Sequence, residues 1–411
     1  MFDPTRRSFL ACTPHFLSAA AASRFAPLAS PALVQSASAQ SKPSVRSVVI
    51  NPGDDLSAIV SAVNASARPT QLLLNDGIYP IDRTLIIETP GIEVVAASRR
   101  REKVLIRGDS MSGAARIGNI FRVAAPGFKL DSVTLQRCGN HAVQIAGESG
   151  AHDVRLINCV FQDSFEQLVK VSAGRQSSDQ SPCRNGLIEH CLFEYTAGIG
   201  PQFYIGGLDG HHCSGWTVRG NTFRNIASPA REVAEHAIHF WGTRDITVEN
   251  NLIIDCDRGI GFGLGRNRSV NGGVIRNNFI FHAANAHPFA DAGVVLESSA
   301  SIDVLNNTIF QEHAYPRAIE FRFEGTRDGL IANNLTNRAI ASRDGGRATV
   351  LNNFSHALNS MFVDASIGNL RLKTPISGVV DSGLTLATVS TDIDGQARPR
   401  GAGHDIGAHE F

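Results

Sequence analysis

The sequence predicts an all-β solenoid: a chain wound into successive coils of short parallel strands, closed at its start by a helix. Three observations carry this. Eight segments end almost alike: RLINCVF from Arg155, LIEHCLF from Leu187, TVRGNTF from Thr217, TVENNLI from Thr247, VIRNNFI from Val274, VLNNTIF from Val304, LIANNL from Leu330 and TVLNNF from Thr349. Each unit carries a second, alternating segment ahead of that ending, and almost no unit shows helical periodicity.

The first observation sets the repeat. Aligned on the second position of the Asn-Asn pair, one column reads Cys159, Cys191, Asn221, Asn251, Asn278, Asn307, Asn334 and Asn353, at intervals of roughly 20 to 30 residues. Units of that size bury their apolar faces only against their neighbours. Asn suits a tight bend, because it tolerates a left-handed backbone and its amide can hydrogen-bond up a ladder.

The second segments are AVQIA from Ala142, LVKVS from Leu168, QFYIG from Gln202, AIHFW from Ala237, GIGFG from Gly259, GVVLE from Gly293 and AIEFR from Ala318. As rungs of one sheet they turn Val143 and Ile145, Ile238 and Phe240, or Ile319 and Phe321 inward. Gln144, Lys170, Tyr204, His239, Gly261, Val295 and Glu320 then face outward, about 4.8 Å apart from coil to coil.

On these two columns the chain resembles right-handed parallel β-helix proteins of the pectate lyase type, from roughly residue 48 onward. Asp54-Asp55 followed by Leu56, Ile59, Val60 and Val63 reads as an amphipathic helix covering the open end of that solenoid. The helix and the Asp76-Gly77-Ile78-Tyr79 turn are similar to those of exported β-helix polysaccharide lyases. Asp392-Ile393-Asp394-Gly395 and Asp405-Ile406-Gly407-Ala408-His409-Glu410 resemble a C-terminal signature of secreted and surface β-helix proteins, with a closing role. The expected divisions are a leader over 1–39, the β-helix with its cap over 40–355, and C-terminal coils and a cap over 356–411.

Thr5-Arg6-Arg7-Ser8-Phe9-Leu10, an Ala-rich stretch and Ala37-Ser38-Ala39 read as a twin-arginine export signal with its cleavage site. The expected location is periplasmic or secreted, without a membrane span, and the expected state is monomeric. The 38 basic and 38 acidic residues cancel, so nothing draws the whole chain to nucleic acid. Six cysteines follow the leader and permit disulfides, but Cys159 and Cys191 stand in the Asn column, where buried thiols pack well.

Chemistry concentrates in the middle coils. Lys170, Tyr204 and His239 fall on consecutive rungs within about 10 Å, a candidate acid–base set. The loops Ser172 to Asn185, Gly206 to Ser214 and Asn225 to Glu235 are expected to wall a groove, while later coils, with Val295 outward, lose the polar character. For β-elimination on a polyuronate, His239 or Lys170 is the base, Tyr204 the acid and Arg258 or Arg231 the carboxylate clamp. Gln144, Gln202, Trp241, His211, His236 and Arg266 are the substrate-binding candidates, Trp241 as a stacking platform.

Chondroitinase and alginate lyase relatives of this fold imply a Lys base, an Arg and often calcium. Calcium is the cofactor candidate here, with Asp209, Glu232 and Glu235 as scattered ligands. A transition metal on His211, His212, His236 and His239 is set aside, since no Glu-x-x-His frame accompanies them. The partner is a polysaccharide. Non-catalytic glycan or envelope binding, glycoside hydrolysis and uronate epimerisation are the alternatives to elimination on the same fold.

Overall fold

The computed structural model describes residues 45–173, 183–283 and 290–411. The expected leader lies outside the described residues, as does most of the loop between Ser172 and Asn185. From Val45 onward the chain forms one compact unit. Among the described residues no helix is long and apolar enough to cross a membrane.

The solenoid is borne out. Three parallel sheets run its length. The first takes the strands that precede each Asn pair, from Arg46–Ile50 to Thr349–Leu351; the second takes those that follow it, from Gly77–Pro80 to Leu335–Thr336. The third holds the rungs, from Leu85–Ile87 to Ala339–Arg343. Inward residues of all three make one continuous apolar core, including a stack of Phe161, Phe193 and Phe223 on successive coils.

The bend column divides its labour between two positions. The first residue of each pair takes the left-handed backbone: Asn250, Asn277, Asn306 and Asn333 have φ of 55°, 53°, 50° and 55°. The second makes the ladder. Asn251 Oδ1 accepts from the backbone N–H and the side-chain amide of Asn221, both at 3.0 Å, while Asn251 Nδ2 donates to Val218 O at 2.9 Å and Asn278 Oδ1 at 3.0 Å. The pattern repeats through Asn278, Asn307 and Asn334 to Asn353. The ladder amides from Asn221 to Asn334 are thereby satisfied at both oxygen and nitrogen. At the other end Cys159 and Cys191 are buried thiols, and the Cys159 N–H points at Cys191 Sγ.

The expected helix is Leu56–Ser66, N-capped by Asp55, whose Oδ1 accepts from Ala58 N at 2.9 Å. Leu56, Val60 and Val63 pack into the core, and Asn64 ties the helix to the first rung of the third sheet through Ile86 O. Residues 356–411 add no rung to the three sheets. They lie along the Asn corner, where Asn306 Nδ2 donates to Asp405 O and Gly407 N donates to Asn333 O. The acidic signature forms a clasp there: Arg398 and Glu410, 0% and 1% exposed, meet at 2.5 Å.

Candidate active site on the third sheet

The outward column of the third sheet differs from the expected one at a single rung. Gln202 to Gly206 is not a strand; the rung between Val169–Ser172 and His236–Trp241 is Leu208–His211. Its inward positions are Leu208 and Gly210, and Phe240 of the next coil fills the space beside Gly210, where a β-carbon would sit 2.4 Å from Phe240 Cδ1. The rung therefore lacks the apolar alternation by which the others are recognised. The column reads Gln144, Lys170, Asp209, His239, Gly261, Val295, Glu320. Tyr204 is displaced onto the preceding loop, 40% exposed beside Phe203.

Asp209 thus stands between Lys170 and His239. Its Oδ2 takes an ion pair with Lys170 Nζ and a hydrogen bond with His211 Nε2 at 2.8 Å, and its Oδ1 lies 3.7 Å from His239 Nδ1. Burial alone would raise this carboxyl; the His211 hydrogen bond and the charges of His211, Lys170 and His239 outweigh it and hold Asp209 ionised, well below the usual carboxylate range. For His211 burial wins over Asp209, so its pKa is lowered and the ring is neutral at neutral pH. His211 also packs on Trp241, its in-register neighbour, with ring centroids 3.9 Å apart.

Beside this group lie Glu235, His236, Arg258 and Asp291. Arg258 Nη1 is 3.9 Å from Glu235 Oε2 and Arg258 Nε is 3.6 Å from Asp291 Oδ2, so the guanidinium has nearby counter-charges. His236 sits over Gly261, whose missing side chain makes room for the ring. Burial, then the charges of His239 and Arg258, push its pKa well down and keep it neutral. A pocket of about 140 Å³ opens here between His236, His239, Arg258, Asp291 and Glu320.

The remaining candidates divide clearly. Gln144 faces the column but is held by Asn119 at 2.9 Å. The Gln202 amide is spent on backbone, donating to Phe165 O and accepting from Tyr204 N. Trp241 is already covered by His211 and His212 and by the Arg268 guanidinium 4.4 Å above its ring, which leaves it poorly placed as a bare sugar platform. Arg266 lies over Phe323. Arg231 and Glu232 are exposed on the loop before Glu235. Gathered calcium ligands do not appear among the described residues: Asp209 is engaged by Lys170 and His211, and Glu232 joins no close group of ligand atoms.

The later coils, expected to be bland, are charged. Glu320 is 1% exposed and meets Arg317, Arg322 and Arg343, while Arg322 also pairs with Glu297 at 2.6 Å. The signal was present two positions beyond the column, where Glu297, Arg322 and Arg343 are in register. A larger cleft, about 740 Å³, lies on the far side between Arg219 and Arg371. Its charges are already paired, Arg219 with Glu189 and Arg371 with Asp394, so it offers less free chemistry.

Comparison with known proteins bears on the fold. A pectate lyase, Pel9A, superposes with a TM-score of 0.62 at 15% identity, over 89% of this chain and 97% of that one. Weaker likenesses include an endo-xylogalacturonan hydrolase from Aspergillus tubingensis, with TM-score 0.44 and 12% identity over 74% of this chain and 95% of that one. The Streptococcus pneumoniae surface protein and adhesin PfbA gives 0.46 and 14% over 74% and 96%. At such identities the likeness is one of fold. No curated protein matches in sequence. The family model described as right handed beta helix region matches residues 119–355, and the chain belongs to that family.

Proposed function

We propose that the outer face of the third sheet binds an acidic polysaccharide and cleaves it by β-elimination. The observation that carries this reading is the Asp209 cluster: a neutral imidazole, His211, oriented by a buried carboxylate and flanked by the cation of Lys170. In this reading His211 takes the proton alpha to the uronate carboxylate. Lys170 and Arg258 neutralise the charge that builds on that carboxylate. The electron pair forms the new C4–C5 double bond as the C4–O bond breaks, and water protonates the leaving oxygen. His211 replaces His239 as base because its side chain is 18% exposed, whereas that of His239 is 4% exposed with Nδ1 turned toward Asp209 and Glu235. The proposed setting is periplasmic or secreted, by way of a twin-arginine leader read from residues 1–39.

Phe203 and Tyr204, 46% and 40% exposed on the loop above the sheet, favour a second reading in which the face holds a glycan without turnover. One screen separates the two. The mature chain is incubated with alginate, pectate and chondroitin while ultraviolet absorbance reports unsaturated uronate. Elimination gives rising absorbance on one polymer, lowered about a hundredfold or more by His211→Ala and by Lys170→Ala. Affinity with no new double bond on any polymer would establish the binding reading instead, and full activity in both variants would remove these residues from the mechanism.

A further inference from the structure

Several ligand atoms on the third sheet lack the partners their chemistry requires. His239 Nε2 lies 3.0 Å from Gly263 O, and a carbonyl can only accept, so Nε2 carries a proton and Nδ1 is the ring atom turned to the other side. Nδ1 faces two carboxylate oxygens, Glu235 Oε2 at 3.9 Å and Asp209 Oδ1 at 3.7 Å, both too far for a hydrogen bond. His236 Nδ1, on a side chain 9% exposed, is buried without a hydrogen-bond partner, again 3.9 Å from Glu235 Oε2. Asp209 Oδ1 is likewise buried and unpartnered.

Glu235 Oε2 and the two Nδ1 atoms converge at separations too long for hydrogen bonds, which leaves a gap that a cation can fill. A single proton can bridge one pair of these atoms, but not Glu235, His236 and His239 together, whose ligand atoms all lie within 4.8 Å of one another. We propose that Glu235, His236 and His239 bind one divalent transition-metal ion of the zinc class.

The chemistry and geometry agree on the ion. Two imidazoles and one carboxylate suit zinc, cobalt, nickel or iron, whereas calcium and magnesium take oxygen ligands. Bonds of about 2.0–2.1 Å in a tetrahedral site put ligand atoms about 3.3 Å apart. The 3.9 Å separations here close to that by a shift of about half an ångström. The Gly263 carbonyl supplies the outer hydrogen bond that orients a ligating imidazole. Arg258 Nη1, also 3.9 Å from Glu235 Oε2, is too far to claim that oxygen by hydrogen bonding. The pocket of about 140 Å³ leaves the remaining coordination position open to water or substrate. The proposal stands independently of elimination.

Binding is tested directly. The full mature chain is stripped with a chelator, dialysed, and titrated with Zn²⁺ by calorimetry and with Co²⁺ by visible absorption. One equivalent binds; Glu235→Gln and His236→Gln, checked for fold by circular dichroism, each weaken it at least tenfold. His190→Ala, an exposed imidazole on another face, leaves binding unchanged, and excess Ca²⁺ does not displace the ion. No saturable binding in the native chain, undiminished affinity in both folded variants, an equal loss in the His190→Ala control, or displacement by Ca²⁺ would overturn the proposal.

Discussion

Replacing Asn251 by Ala removes one step of the bend ladder, and its cost follows from the bonds that step makes. The side chain, 0% exposed, accepts two hydrogen bonds from Asn221 and donates two, to Val218 O and Asn278 Oδ1. After truncation Asn221 Nδ2 keeps Ile188 O and Asn278 Oδ1 keeps the Asn251 N–H, but the Asn221 N–H loses its acceptor. An orphaned buried donor costs about 1–3 kcal/mol and each of the three other lost bonds about 0.5–1.5 kcal/mol, so the variant is destabilised by about 2.5–7.5 kcal/mol. Asn353→Ala at the last coil removes the equivalent bonds where water can replace them, and costs about 1 kcal/mol. Solenoids open locally, so hydrogen exchange is the appropriate assay, alongside thermal unfolding. In Asn251→Ala, exchange accelerates at the Asn221 amide and in the coils on either side, with the first coils unchanged. Equal costs at Asn251 and Asn353 would refute the argument that burial makes the ladder matter.

Three further outcomes are expected. A β-carbon on Gly261 would lie 2.5 Å from His236 Nε2, so Gly261→Ala displaces that ring and lowers Zn²⁺ affinity at least tenfold, about 1.4 kcal/mol, with circular dichroism unchanged. Arg398→Met leaves Glu410 buried without its counter-charge, which costs about 3–5 kcal/mol and makes residues 356–411 cleavable by protease while the coils stay resistant. Burial, then the charges of His282 and Arg338, press the His313 pKa down to about 3. The unfolded chain takes up that proton near pH 6.5, so stability held at neutral pH is lost as pH falls from about 6.5 toward 3. His313→Asn should flatten this decline in acid-unfolding curves.

Much of the architecture was legible because solenoid physics repeats. The Asn column, six of the seven rungs and the capping helix each follow from a residue type that one backbone position demands. The rung that was missed shows the limit. Leu208–His211 hides its strand character because Phe240, thirty positions after Gly210, supplies the apolar volume that Gly210 lacks. Gln202 to Gly206 alternates well and yet forms a loop. That one exchange replaced Tyr204 by Asp209 and turned a row of bases into an ion-paired cluster. The roles of Trp241 and Gln202 were equally hidden, since both depend on partners that only folding brings near. His236 and His239 were legible together as metal-ligand candidates but were set aside, because the open space over Gly261 that brings His236 into place is not a sequence motif.

The central claim is that chemistry occurs on the outer face of the third sheet, around Asp209. The most direct measurement is a crystal structure of the His211→Ala protein with a uronate oligosaccharide bound. The expected result is a sugar chain lying across the rungs from Lys170 to His239, with a carboxylate on Lys170 or Arg258. A saccharide seated instead in the cleft between Arg219 and Arg371, with the third sheet bare, would contradict it.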